Sequence, residues 1–184
     1  MRNLEQSVGV KVKYAKKAII STKDASFIIE SGHVAVLNTE GDIIDFLGAG
    51  NELVQADSLD SPYFEVISNE LCVMKFDRNT IEAKQTNAVL AKKEALLQLP
   101  TELRVSQALF QLGMRHGMET GDPALLRFPK AINKGRLAEY TNLNPNTITK
   151  VLKKLQVEGV IYNMSREMHI DIFELELKVA SISQ

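Results

Sequence analysis

The chain has 184 residues, of which 45% are hydrophobic and 24% are charged, with no Trp and one Cys. This composition is typical of a globular protein of one or two domains and excludes disordered and collagen-like chains. No apolar run reaches the roughly 18 to 20 residues of a membrane-spanning helix, and the start of the chain lacks the apolar core of a signal peptide, so we expect a cytoplasmic protein.

The net charge of −1 hides an uneven distribution. Residues 130–166 contain seven basic and two acidic side chains, a net charge of +5, whereas residues 1–129 and 167–184 each have a net charge of −3. A basic segment in an otherwise acidic protein indicates a localised contact with a polyanion.

Short apolar runs separated by glycine-containing turns occupy residues 11–76. The runs are 18–20, 27–29, 34–37, 43–47, 64–67 and 71–74. Several short strands at close spacing predict an antiparallel sandwich or barrel. Residues 38–42, between two runs rich in β-branched residues, predict a hairpin loop.

Helical periodicity follows the strand region. Apolar residues recur at helical spacing over residues 78–99, and Pro100 ends this predicted helix. Thr101 is the expected N-cap of a second helix, 102–116, which Gly117 ends. The apolar face of this second helix is Val105, Ala108, Leu109 and Leu112.

The basic segment predicts two helices, Lys134–Thr141 and Pro145–Val157, joined by the turn 142–144. Asn144 suits the N-cap of the second helix, and Pro145 suits its first position, where a missing N–H costs nothing. Residues 160–162 and 168–172 predict a hairpin after it. Helix, turn, helix and hairpin form a winged helix-turn-helix.

Such a motif suits DNA, because a helix fits the major groove and cations neutralise phosphates. Asn146 can pair with an adenine edge, and Lys150 can reach a guanine or a phosphate. The alternative is that these helices are a stable pair whose lysines form a solvated face.

Two stretches resemble the CRP/FNR family of bacterial transcription regulators. One is residues 27–36, with Gly41 and residues 48–50 after it, and the other is residues 135–155. The resemblance implies an α+β fold in three parts. These parts are a cyclic-nucleotide-binding-like antiparallel β jelly roll or barrel (1–77), a connecting and dimerisation helix (78–99) and a winged-helix DNA-binding domain (100–184).

By position, the family's base-reading residues correspond to Pro145, Asn146 and Lys150, with Thr149 beside them. Pro145 replaces a common arginine and Asn146 replaces a glutamate, so we expect a half-site unlike the family's best-known one. The predicted phosphate contacts are Lys130, Lys134, Thr147, Lys153, Lys154 and Arg166. The stretch linking the two domains is shorter than usual by about four helical turns, which leaves open whether residues 78–99 still form the dimer interface.

A cyclic nucleotide is not the expected effector. Residues 24–74 contain ten acidic side chains and no Lys or Arg, so a bound phosphate would find no cation there. The family's Arg-Ser or Arg-Thr pair falls near residues 61–62, where no arginine is present. Cys72 alone cannot supply an iron–sulfur site, and we expect no cofactor.

The sequence therefore predicts a homodimeric regulator that binds an inverted repeat in double-stranded DNA, has a degenerate sensor domain and is not an enzyme. RNA polymerase is a further candidate partner. The alternative is a switch that responds to a small molecule or a peptide and whose winged helix contacts mainly protein partners.

Overall fold

The computed structural model describes residues 9–23, 25–53, 63–77, 86–164 and 167–182. Contacts divide the chain into two units, Met1–Leu90 and Ala91–Gln184. The described strands are β1 (Val10–Ala15), β2 (Ile19–Ile20), β3 (Ala25–Ser31), β4 (Val34–Leu37), β5 (Ile43–Leu47), β6 (Glu52–Leu53), β7 (Tyr63–Val66), β8 (Glu70–Asp77), β9 (Met118–Glu119), β10 (Leu125–Arg127), β11 (Ile161–Met164) and β12 (Glu167–Asp171). The described helices are α1 (Thr86–Gln98), α2 (Thr101–His116), α3 (Lys134–Thr141), α4 (Pro145–Val157) and α5 (Ile172–Ile182).

The first unit contains two four-stranded sheets, ordered β1-β8-β3-β6 and β2-β7-β4-β5, with antiparallel pairing throughout. Every predicted apolar run overlaps one of these strands, which confirms the antiparallel β architecture. Both sheets contribute to one core: Ile29 and Leu71 come from the first, and Val34 and Phe64 from the second. Burial of these side chains is the main force holding the sheets together.

The predicted hairpin loop at residues 38–42 is confirmed. The Asn38 side-chain oxygen accepts hydrogen bonds from the backbone N–H groups of Glu40 (3.1 Å) and Asp42 (2.7 Å). Gly41 adopts a φ of +92°, in the left-handed region that favours glycine. The loop therefore connects β4 and β5 through local interactions that the sequence alone specifies.

The boundaries of the first two helices differ from the prediction by one residue each. Thr101 is the first residue of α2 and not its N-cap: Pro100 takes the N-cap position, and its carbonyl accepts the backbone N–H of Arg104 at 2.8 Å. The four residues predicted for the apolar face of α2 are all fully buried, which confirms that face. The predicted helix at 78–99 ends at Gln98, and its first eight residues lie outside the described residues.

The second unit packs α2 to α5 with a sheet ordered β11-β12-β10-β9. The hairpin of β11 and β12 was predicted, whereas β9, β10 and α5 were not. Asp171, the last residue of β12, caps the start of α5. Its carboxylate accepts hydrogen bonds from the backbone N–H groups of Phe173 (3.1 Å) and Glu174 (3.0 Å). These results confirm a mixed α/β fold, while the predicted boundaries at residues 77 and 99 stay predictions.

Candidate nucleic-acid interface

The N-terminus of α4 forms as the sequence predicts. Asn144 is the N-cap, and its side-chain oxygen accepts the backbone N–H of Asn146 at 2.8 Å. Pro145 follows as the first helical residue. The cap and the proline act locally, so the helix start is fixed by two adjacent residues.

The preceding helix and turn are equally well defined. Asn133 caps α3 by accepting the backbone N–H groups of Gly135 (3.0 Å) and Arg136 (3.1 Å). Asn142 ends α3 in the left-handed conformation, with a φ of 50°, which asparagine tolerates better than most residues. A turn of three residues therefore separates the end of α3 from the start of α4.

Buried contacts hold α4 in place. Its apolar stripe, Ile148, Val151, Leu152 and Leu155, is buried, as predicted. Arg104 of α2 ties the end of α3 to α2, because its guanidinium donates to the carbonyls of Leu99 (2.9 and 3.1 Å) and Thr141 (3.2 Å). Burial and capping together stabilise α4 as a rigid element, and its opposite face is available to a partner.

The predicted base-reading positions lie together at the exposed start of α4. Pro145, Asn146 and Lys150 are exposed, and Thr149 is half-buried. The Thr149 hydroxyl donates to the Pro145 carbonyl at 3.0 Å, so this threonine offers a partner mainly its methyl group. The side chain of Asn146 has no hydrogen bond within the described part of the chain and is available to an external partner.

The predicted phosphate-contacting lysines divide into two groups. Lys130 is paired with Glu167 at 2.7 Å, and Lys154 is paired with Glu102 at 2.5 Å. Lys134 and Lys153 are exposed and, like Lys150, have no ion-pair partner among the described residues. Thr147 is half-buried, and Arg166 lies outside the described residues. Three lysines, Lys134 at the start of α3 and Lys150 and Lys153 on α4, therefore remain without an ion-pair partner within the described ranges.

Sequence reasoning missed the acidic partners of these lysines. Glu102 of α2 contacts both Lys154 of α4 (2.5 Å) and Lys178 of α5 (2.7 Å), and Lys178 also contacts Glu158 at 2.6 Å. Hydrogen bonds from Lys154 and Lys178 lower the pKa of Glu102 below its usual value. Because Glu102 and Lys154 are 52 positions apart, no local sequence pattern identifies the pair. We call these four residues the Glu102 cluster.

Two ion pairs of the first unit link β1 to other strands of its sheet: one reaches across β8 to β3, and the other joins the adjacent strand β8. Lys11 contacts Glu30 (2.7 Å), and Lys13 contacts Glu70 (3.0 Å). Cys72 is buried and donates to Glu30 at 3.3 Å, and burial, with this hydrogen bond, raises the pKa of its thiol. Residues 54–62, where a cyclic-nucleotide cassette would continue, lie outside the described residues.

The described ranges contain neither a metal centre nor a membrane span. Within them, no group of three or more His, Cys, Asp or Glu side chains is arranged to hold a metal ion. None of the helices described there has the length and apolar character required to cross a bilayer.

No protein-family profile matches the sequence, and a search of the curated proteins finds no match. Solved structures match over nearly the whole chain. FixK2 from Bradyrhizobium japonicum aligns with a TM-score of 0.72 at 16% identity, covering 92% of this chain and 96% of that one. A CRP/FNR-family transcriptional regulator from Thermus thermophilus aligns with a TM-score of 0.63 at 16% identity, covering 94% of this chain and 100% of that one. The chain has the CRP/FNR fold.

A third solved structure is similar to this chain. A cyclic nucleotide-binding domain containing protein from Listeria monocytogenes EGD-e has a TM-score of 0.71 at 22% identity, with 91% of each chain covered. The resemblance inferred from residues 27–50 and 135–155 is therefore confirmed at the level of the fold. At these identities the CRP/FNR fold is shared while most side chains differ, so the function must be argued from the residues of this chain.

Proposed function

We propose that this chain is a CRP/FNR-type transcription regulator that binds DNA sequence-specifically through a winged helix-turn-helix. The observation that carries the proposal is α4: a capped, exposed helix with three lysines and no acidic residue, on a fold shared with transcription regulators. In this proposal, α3 and α4 are the helix-turn-helix, and β11 and β12 form the wing. A helix with its N-terminal turn exposed can enter the major groove.

Base reading is assigned to the start of α4. The amide of Asn146 can make a bidentate contact with adenine, and Lys150, one turn further along, can donate to guanine. Pro145 and the methyl group of Thr149 can contact a thymine methyl group. Asn144 is excluded from this role, because its side chain already caps the helix.

Phosphate contacts are assigned first to Lys134 and Lys153, which are exposed and have no ion-pair partner in the described part of the chain. Lys130, Thr147 and Arg166 remain proposed contacts at the edges of the interface. Lys154 is proposed as a weaker contact, because it is shared with the Glu102 cluster. With several phosphates neutralised, DNA affinity should decrease steeply as the salt concentration increases.

A homodimer is proposed because one α4 helix reads only a short half-site, and two-fold symmetry would then require an inverted repeat. The proposed parts are the sensor domain (1–77), the connecting helix (78–99) and the DNA-binding domain (100–184). The acidic stretch 24–74 makes a cyclic nucleotide a poor effector. A regulator of this kind would act in the cytoplasm, alongside RNA polymerase, and would catalyse no reaction.

Selection of random duplex DNA by the purified, effector-free protein tests this function. We expect enrichment of an inverted repeat. Replacing Lys150 with Ala should weaken binding to the enriched site by about 1–3 kcal/mol and broaden the base preference at one position per half-site. Lys75→Ala is the matched control, because Lys75 is an exposed lysine of β8 in the first unit. This substitution should leave the affinity for the enriched site unchanged.

The result that would contradict the proposal is equal, weak binding to every duplex sequence. That outcome favours a switch in which the same helices contact a protein. If Lys150→Ala weakens binding to all duplex sequences equally, the base-reading role of Lys150 is wrong, and this lysine contacts only phosphate.

A further inference from the structure

A groove of about 580 Å³ opens on the surface of the second unit, between residues 128–134, the start of α3, one side of α4 and the β11–β12 hairpin. Its apolar lining, which we call the floor, includes the largely buried side chains of Phe128, Ile132 and Leu152 and the half-buried Met168. This volume falls within the range typical of sites for small organic molecules.

The charged side chains that line the groove are all lysines. Lys130, Lys134 and Lys153 line it, and no carboxylate of the described residues does. Glu167 forms an ion pair with Lys130 and offsets its charge, whereas Lys134 and Lys153 have no ion-pair partner among the described residues. The groove therefore combines an apolar floor with two uncompensated ammonium groups.

A DNA backbone alone does not account for this combination. Phosphates would engage Lys134 and Lys153 but would leave an apolar floor without a complementary surface. A ligand with both an anionic head and an apolar body would satisfy both features, because the head can pair with the lysines while the body covers the floor.

We propose that this groove binds a small amphipathic organic anion, a carboxylate or sulfonate attached to an apolar body, and that this ligand competes with DNA. The competition rests on the proposed function: Lys134, Lys153 and Thr149 line the groove and also belong to the proposed DNA interface. The ligand would thus regulate the protein at its DNA-binding unit and not through the β-sheets of the first unit.

Fluorescence of 8-anilinonaphthalene-1-sulfonate, measured with the full chain and without DNA, tests the site. The probe should bind the wild type, and the double variant Lys134→Gln with Lys153→Gln should weaken binding about tenfold, as expected for two lost ion pairs. Lys92→Gln is the matched control, because Lys92 is an exposed lysine of the second unit that does not line the groove. Unchanged binding by the double variant would overturn the proposal.

Displacement of the probe by other compounds, at constant ionic strength, distinguishes the contribution of the anionic head from that of the apolar body. Octanoate should displace the probe, whereas octanol and sulfate at the same concentration should not, because each has only one feature. Displacement by sulfate as strong as by octanoate would overturn the proposal in favour of a simple anion site. Displacement by octanol as strong as by octanoate would overturn it in favour of an apolar site.

Adding duplex DNA distinguishes this inference from the proposed function. A duplex that binds in the absence of octanoate should be released as octanoate is added, and independent binding of both would overturn the competition. If no duplex binds while the probe and octanoate behave as expected, the proposed function fails and the groove site stands.

Discussion

Glu102 joins three helices of the second unit, and its replacement offers a sharp test of what stabilises them. Its carboxylate lies 2.5 Å from Lys154 of α4 and 2.7 Å from Lys178 of α5. The Lys178 side chain is only 15% exposed, so its pair is less screened by water than an ordinary surface ion pair. Glu102→Gln keeps the shape of the side chain and removes its charge.

We expect Glu102→Gln to lower the free energy of unfolding by about 1–2 kcal/mol at pH 7, since two partly exposed ion pairs are lost at about 0.5–1 kcal/mol each. Lys178 keeps Glu158 as a partner, which limits the loss. Urea unfolding followed by circular dichroism at 222 nm is a suitable assay, because α2 to α5 all belong to the second unit. Glu94→Gln, an exposed glutamate on α1, is the control and should change stability by less than about 0.5 kcal/mol.

The effect should depend on pH in a defined direction. Since the folded protein holds the pKa of Glu102 below its ordinary value of 4.5, the stabilisation is fully present above pH 4.5. It is lost as the pH decreases through the lower pKa of the folded state. The difference between wild type and variant should therefore shrink below pH 4.5. A difference that stays constant down to strongly acidic pH would show that packing, not charge, is responsible.

Three further substitutions or modifications test other features. Asn144→Ala should cost about 1 kcal/mol, because the N-cap bond of α4 is lost; urea unfolding measures this, and no change would refute the capping role. Gly113→Ala should lower the free energy of unfolding, because the added Cβ would clash with Cδ1 of Ile170. Adding Ile170→Val, which removes that atom, should partly restore the stability of the Gly113→Ala variant in urea unfolding. No restoration would show that Cδ1 of Ile170 is not the atom responsible. Cys72 should react with iodoacetamide at pH 8 at least about tenfold more slowly in the native than in the unfolded protein, because burial and its bond to Glu30 keep it protonated; equal rates would contradict its burial.

The sequence predicted best those features that depend on neighbouring residues. Asn144 and Pro145 specify the start of α4 through a side-chain cap and a fixed φ, and both signals are adjacent in the chain. The loop around Gly41 was predictable for the same reason. Thr101 was misassigned, because α2 begins directly after Pro100 without a side-chain cap, so the preferred capping residue falls on the first helical position.

Features that depend on distant partners could not be predicted. β9 and β10 contain two and three residues and exist because they continue the sheet begun by β11 and β12. α5 was missed because residues 172–177 place glutamates between apolar residues, a spacing that also fits a strand. The capping side chain of Asp171 was the local signal that could have revealed this helix.

The candidate site shows the same limit. Asn146 and Lys150 were predicted from the sequence of α4, and Pro145 and Thr149 from the family resemblance, but the distinction between Lys153 and Lys154 was not predicted. These neighbours differ because Lys154 reaches Glu102, a residue of another helix. Similarly, the apolar floor near Lys134 combines residues from three separate segments, so no contiguous motif predicts it.

The outer strands of the sheets have a consequence for how the protein behaves at high concentration. Open sheet edges can pair with other chains and start aggregation. Among the described strands, β2 and β9 are edge strands of only two residues and leave little unpaired backbone, whereas the edge strands β5 and β11 have five and four residues. The longer edge strand β1 has the exposed lysines Lys11 and Lys13, which disfavour stacking against an identical edge. The charged edge of β1 therefore opposes the pairing of two molecules through this strand.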